Sequence, residues 1–124
     1  MILEDPITGL YHAPCHLHDH TLAHADTLHQ ASDKITATGG WHDAGDYGKY
    51  VATTSVTIAR ILSLYEQHPN LFWDGQLTIP ESGNGIPDVL DEMKFGLDWM
   101  LRMQRSDGAV YRKLSGSEWP IGLA

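Results

Sequence analysis

The sequence predicts an all-α chain in which two amphipathic helices follow a long, irregular, His-rich segment. Apolar residues recur at helical spacing over two stretches of the second half, whereas residues 1–49 keep neither a helical nor an alternating period for long. Seven of the eight histidines fall between His12 and His42, which divides the first third from the remainder. With 124 residues the chain is one domain at most, burying roughly two-thirds of its unfolded surface if it closes on itself.

In chain order, residues 1–49 are rich in Asp, His, Thr and Gly and read as mostly loop, with a turn of helix at most. From Tyr50 the pattern changes: Val51, Ile58, Ile61, Leu62 and Tyr65 form a helical stripe that stops before Pro69-Asn70. A second helix follows Pro87, with Val89, Leu90, Met93, Leu97, Met100 and Leu101 on one apolar stripe. Pro87 suits the first helical turn, where its missing N–H has no partner to lose. Asp88, Asp91 and Glu92 at one end and Arg102 and Arg105 at the other match the helix dipole, and Asp107-Gly108 ends the helix. Ala109 to Leu114 reads as a short extended piece and the remainder as loop. Two helices cannot bury their stripes against each other and also support a 49-residue loop, so the chain reads as part of something larger.

Charge narrows the function classes. Eight Lys+Arg against sixteen Asp+Glu give a formal charge of −8, the opposite of the basic footprint that nucleic acid or an anionic membrane surface requires. No apolar run approaches the length of a membrane span, and the first residues lack the basic, apolar, small-residue order of a signal peptide. The one cysteine, Cys15, is a buried thiol, a ligand, or half of a pair whose other half lies elsewhere.

The densest cluster of chemistry-bearing residues runs from Gly39 to Val51, with Trp41-His42-Asp43-Ala44-Gly45-Asp46 at its centre. Four glycines within ten residues permit positive φ and a close ligand approach, and Asp43 and Asp46, three apart, can face one point. A helix start just beyond Asp46 favours its ionised form, which is the form a base needs. Spacing alone also allows a plainer reading, in which the two aspartates merely cap the helix.

This thirteen-residue stretch resembles the N-terminal active-site segment of glycoside hydrolase family 9, the cellulase family of inverting β-glucan hydrolases. Pro14-Cys15-His16 upstream and Pro80 to Glu92 downstream, continuing to Met103-Gln104, agree with it in order, so the resemblance spans nearly the whole chain. It implies an (α/α)6 toroid of several hundred residues, with 1–124 as the N-terminal part of its catalytic domain. It further implies that the chain starts just after a Cys-Gly, as in relatives with an N-terminal immunoglobulin-like domain, and that partner domains and an extracellular location go with the full protein. Residue by residue, Asp46 matches the catalytic base and Asp43 the carboxylate that helps hold the attacking water. The general acid is a late glutamate in the family; Glu118 does not match its motif, so no acid is assigned. Trp41 and Tyr47, adjacent to the aspartates, are the candidates for contact with the β-glucan.

Cys15, His16 and His42 are compatible with tetrahedral zinc, but three ligands leave such a site one short. Taken alone they better suit a buried free cysteine beside solvent-exposed histidines. The resemblance implies a structural zinc, with the fourth ligand a cysteine upstream. The other histidines (His12, His18, His20, His24, His29 and His68) have no expected role beyond a solvated loop. Glu81 to Glu92 is rich in oxygen donors and the family contains calcium sites, yet the spacing is not that of an EF-hand and first-turn acids explain Asp88, Asp91 and Glu92. Two rivals remain: a His-rich metal-binding module without catalysis, which would not need Asp43 and Asp46 in a Gly-rich loop, and another α/α toroid acting on a different polysaccharide, which would not be expected to carry Trp-His-Asp-Ala-Gly-Asp.

Overall fold

The computed structural model describes residues 6–11, 15–17, 35–43 and 45–115. His12, His18, His20, His24, His29, Pro14, Ala44, Glu118 and Trp119 lie outside these residues. The element order is strand β1 (Lys49–Tyr50), helix α1 (Val51–Gln67), a single 3-10 turn (Pro69–Leu71), helix α2 (Asp88–Arg102) and strand β2 (Lys113–Leu114).

Helix α1 begins and ends close to where the apolar stripe predicts. Tyr50 is its N-cap residue, in extended conformation and with no side-chain cap. That extended residue also belongs to β1, which pairs antiparallel with β2 in the register Lys49↔Leu114 and Tyr50↔Lys113. Strand β2 falls within the extended piece expected at Ala109 to Leu114, but β1 and the pairing are absent from the sequence reading because two residues cannot establish a period. Its effect is to pin the start of α1 to the chain's far end, with Val51 N–H donating to the Arg112 carbonyl at 3.1 Å. Ser55 and Thr57 hydrogen-bond back to the α1 carbonyls of Ala52 and Thr53, at 2.7 and 3.0 Å.

Helix α2 departs from its predicted stripe. Its buried residues are Asp88, Met93, Gly96 and Trp99, while Leu97 and Leu101 are 39% and 67% exposed. The stripe drawn through the leucines is rotated from the one that packs, because the largest apolar side chain, Trp99, takes the centre of the core. Pro87 is the N-cap rather than the first helical residue, with ψ 127°. The helix ends at Arg102, and Asp107-Gly108 forms the tip of a tight turn beyond it. There Arg105 N–H donates to the Ala109 carbonyl at 2.7 Å, with Gly108 at φ 89°.

The core is small and sits at the C-terminal half of α2. Ala37, Trp99 and Met103 are fully buried, with Ile35, Val51, Met100, Tyr111 and Leu114 around them. Lys49 is also fully buried: its ammonium donates to the carbonyls of Ala37 and Gly39 at 2.7 and 2.8 Å and lies 5.4 Å from the Trp99 ring centroid. That cation ties the irregular segment 35–40 to the core, because backbone carbonyls of a buried loop need donors that no ladder supplies. Gly40 crosses directly over Trp99; at φ 71° a Cβ would stand 2.7 Å from Trp99 Cγ, so both conformation and space require glycine.

Candidate active site

Asp43 N–H donates to the Gly48 carbonyl at 2.7 Å, closing residues 45–47 into a turn that presents Asp46. Tyr47 sits at φ 52°, a left-handed conformation that costs a non-glycine residue about 1–2 kcal/mol and is commonest where a site demands it. Asp46 accepts twice: Oδ1 from the Gly48 N–H at 3.1 Å and Oδ2 from the Tyr50 hydroxyl at 2.5 Å. Those two bonds, the phenol first, hold the Asp46 carboxyl below the usual carboxylate range; partial burial opposes them and Lys113 on β2 assists. The same bond pushes the Tyr50 phenol up, which keeps it a donor. Ionisation of Asp46 was expected from the end of α1, but the groups that favour it are local: a phenol and an amide. The capping alternative fails on the same geometry, since α1 has no side-chain cap.

A cavity of about 290 Å³ beside this turn is lined by Trp41, His42, Asp43, Tyr50 and the hydroxyl-bearing first turns of α1, at Thr53, Thr54 and Thr57. Asp43 is exposed to it. Asp46 is not among its lining residues and meets it through Tyr50. Trp41 is held from α2, its Nε1–H donating to Glu92 at 2.6 Å, while the far edge of the indole fills the space above Gly96. Tyr47 lies against His42, ring centroids 4.6 Å apart.

The predicted metal residues face the other side of the same segment. Cys15, His16 and His42 line one cavity of about 560 Å³, together with Thr38, Gly39, Phe95 and Arg102. The His16 and His42 rings stack at 5.6 Å, and His16 holds a left-handed backbone at φ 57°. Among the described residues, no three His, Cys, Asp or Glu side chains converge closely enough to hold a metal ion. The donor set suits zinc in its chemistry, and two imidazoles bound to one tetrahedral ion stand about as far apart as these rings do. The oxygen-rich stretch before α2 serves the chain itself. Asp88, fully buried, accepts from the Gly75 and Leu77 amides and the Ser82 hydroxyl at 3.0, 2.8 and 2.9 Å, and Asp74 accepts from Gly83 and Gly85 at 2.6 and 2.7 Å.

Four contributors escape the sequence reading: Tyr50, Lys49, Glu92 and Arg102. Tyr50 stands four residues after Asp46, a spacing that signals contact only in a helix, and here the chain between them is a turn and a strand. Arg102 was read as complementing the helix dipole, and its Nη1–H instead reaches back to the Thr38 carbonyl at 3.0 Å.

Comparison with known proteins places this geometry. The glycosyl hydrolase family 9 profile matches residues 5–119. A xyloglucan-specific endo-β-1,4-glucanase of Bacteroides ovatus is 40% identical over 120 residues, covering 93% of this chain and 20% of that enzyme. Endoglucanase D of Acetivibrio thermocellus is 42% identical over 98 residues, covering 79% and 15%. Among solved structures, a metagenome-derived glycoside hydrolase family 9 endoglucanase superposes with a TM-score of 0.88 at 57% identity, over 96% of this chain and 22% of that one. A Zn-binding triple mutant of the family 9 endoglucanase J30 gives 0.83 at 46%, over 96% and 23%. The chain thus spans about a fifth of the length of these relatives. With a family match over nearly its whole length, the chain belongs to glycosyl hydrolase family 9.

Proposed function

We propose that residues 1–124 form the N-terminal, water-activating part of an inverting hydrolase of β-1,4-glucan, built as the opening of an (α/α)6 toroid. The observation that carries this reading is Asp46, a carboxylate kept ionised by Tyr50 and Gly48 on a closed turn at the mouth of α1. Inversion requires a base that takes a proton from water on one face of the sugar. A protonated carboxylic acid on the other face, roughly 6.5–9.5 Å from the base, gives its proton to the leaving oxygen. In this reading Asp46 is the base, Asp43 holds the attacking water, and Trp41 and Tyr47 border the sugar. The acid is supplied by a residue beyond these 124, which accounts for the exposed Leu97 and Leu101 as faces that further helices cover. The chain alone is therefore inactive.

One relative is by name a xyloglucan-specific endo-β-1,4-glucanase and another an endoglucanase, which supports a β-glucan substrate; secretion and partner domains of the full protein belong to the same proposal. Zinc is part of the proposal: Cys15, His16 and His42, with a fourth donor, would hold it as a structural ion, and a closed four-ligand site supplies rigidity rather than an activated water. Calcium has no such support, because the carboxylates Asp74 and Asp88 are already engaged by backbone amides.

The test is Asp46→Asn in the full-length enzyme. The amide keeps the shape but cannot take a proton, so hydrolysis should fall by several orders of magnitude while oligosaccharide affinity holds. Asp43→Asn should also be severe. Near wild-type turnover by Asp46→Asn, with Asp43→Asn dead, would reverse the two roles.

A further inference from the structure

We propose that Tyr50 is a positioning residue for the base: its phenol, carried by backbone anchored where the β1–β2 ribbon runs into α1, fixes the direction from which Asp46 receives its proton. This rests on the reading of Asp46 as the base. An ionised carboxylate offers about four lone-pair sites, two on each oxygen. Gly48 N–H takes one on Oδ1 and the Tyr50 hydroxyl one on Oδ2, so the carboxylate cannot turn about its Cβ–Cγ bond without breaking both. What remains for water is one defined site on each oxygen. When water gives up its proton, the new O–H bond forms at one of those sites and the hydroxyl attacks the sugar carbon while the glycosidic C–O bond breaks and the acid beyond this segment protonates the leaving oxygen; the phenol keeps its own proton throughout.

Two structural facts show that the phenol is held in place by its surroundings. Tyr50 is doubly anchored, as the N-cap of α1 and as the partner of Lys113 in the ribbon. The chain also makes room for it: a Cβ on Gly48 would lie 2.6 Å from the Tyr50 hydroxyl oxygen and 2.8 Å from the ring. Gly48 has no positive φ, so the requirement there is space alone. The charged and titratable groups facing the Asp46–Tyr50 pair are Asp43 from the same loop and Lys113 from β2. Lys113 favours the ionised base, as the phenol does, and Asp43 acts on the phenol.

The test uses the full-length enzyme with Tyr50→Phe, which removes one oxygen and keeps the ring. On a soluble β-glucan, kcat should fall about tenfold or more with KM nearly unchanged, since a misaimed base costs the chemical step and leaves binding alone. The acid limb of the kcat/KM profile should move to higher pH, because Asp46 loses the bond that favours its ionised form. Gly48→Ala, which crowds the phenol off its place, should move the same limb in the same direction. An acid limb unmoved in both variants, or a loss confined to KM, overturns the proposal. Asp46→Asn separates this from the underlying reading: if that variant is dead while Tyr50→Phe keeps the wild-type limb, the base stands and Tyr50 has no positioning role. If Asp46→Asn turns over normally, both fall.

Discussion

Gly96→Ala sets two well-known effects against each other. In an exposed helix interior, replacing glycine by alanine stabilises by about 1 kcal/mol through backbone entropy. Here the added Cβ would lie 2.6 and 2.7 Å from Cη2 and Cζ3 of Trp41 and 3.1 Å from Cδ1 of Ile58. The first two contacts are with the end of a rigid indole whose Nε1–H is fixed on Glu92, so the ring cannot yield without losing that bond. Overpacking of this kind costs roughly 1–3 kcal/mol, so after the helix gain the net effect is a destabilisation of up to about 2 kcal/mol. Denaturant midpoints of the full-length protein read it. The sign should reverse in a Trp41→Leu background, where the space above Gly96 is open and the substitution becomes neutral or stabilising by up to about 1 kcal/mol. A stabilised Gly96→Ala single variant, or the same cost in both backgrounds, would refute the contact between Trp41 and α2.

Lys49→Met keeps the buried stem but strips the Ala37 and Gly39 carbonyls of their donor, and should cost about 2–4 kcal/mol in denaturant melts; a change below about 0.5 would mean those carbonyls find other partners. Asp88 is pushed up by burial, yet its bonds to Gly75, Leu77 and Ser82 outweigh this and hold it below the ordinary carboxylate value. Its contribution is therefore present above the unfolded-state pKa of about 4 and is lost as pH falls through the folded one. Urea midpoints should drop in wild type as pH falls below about 4 and drop less in Asp88→Asn; parallel curves would contradict this. In the longer protein, metal analysis should find one zinc per chain that disappears with Cys15→Ser and with His42→Ala, and zinc retained in both would remove it from this site.

What could be read from the sequence divides by physical range. Helix α1 was legible because its apolar residues repeat over several turns, and the aspartate loop because glycines and carboxylates at that density have few structural uses. The packed face of α2 was misdrawn, since periodicity weights leucine and tryptophan alike while packing gave the centre to Trp99 and left Leu97 and Leu101 outward. The ribbon between Lys49–Tyr50 and Lys113–Leu114 joins residues more than sixty positions apart, and no local pattern encodes such a pairing. Tyr50 was hidden for the same reason: its meaning lies in a strand that only the far end of the chain creates. Asp88 was taken for a first-turn acid, which it is, but its larger task is to gather the backbone amides of the loop before it.

The segment from Gly39 to Asp43 explains how so little regular structure can hold a site. Trp41 and His42 line both cavities, the one beside Asp43 and the one with Cys15 and His16, so a single strip of chain is the wall between them. Each part of that wall is fixed from a different direction. Lys49 holds the Gly39 carbonyl from β1, Trp99 underlies Gly40, and Glu92 holds the indole of Trp41 from α2. Tyr47 meets the His42 ring from the Asp46 turn, and His16 stacks on it from the other cavity. His42 is bonded directly to Asp43, whose amide closes the Asp46 turn on Gly48. With Asp46 as the proposed base, an occupant of the histidine cavity would act on its turn through two adjacent residues, a link that needs no helix or sheet to carry it.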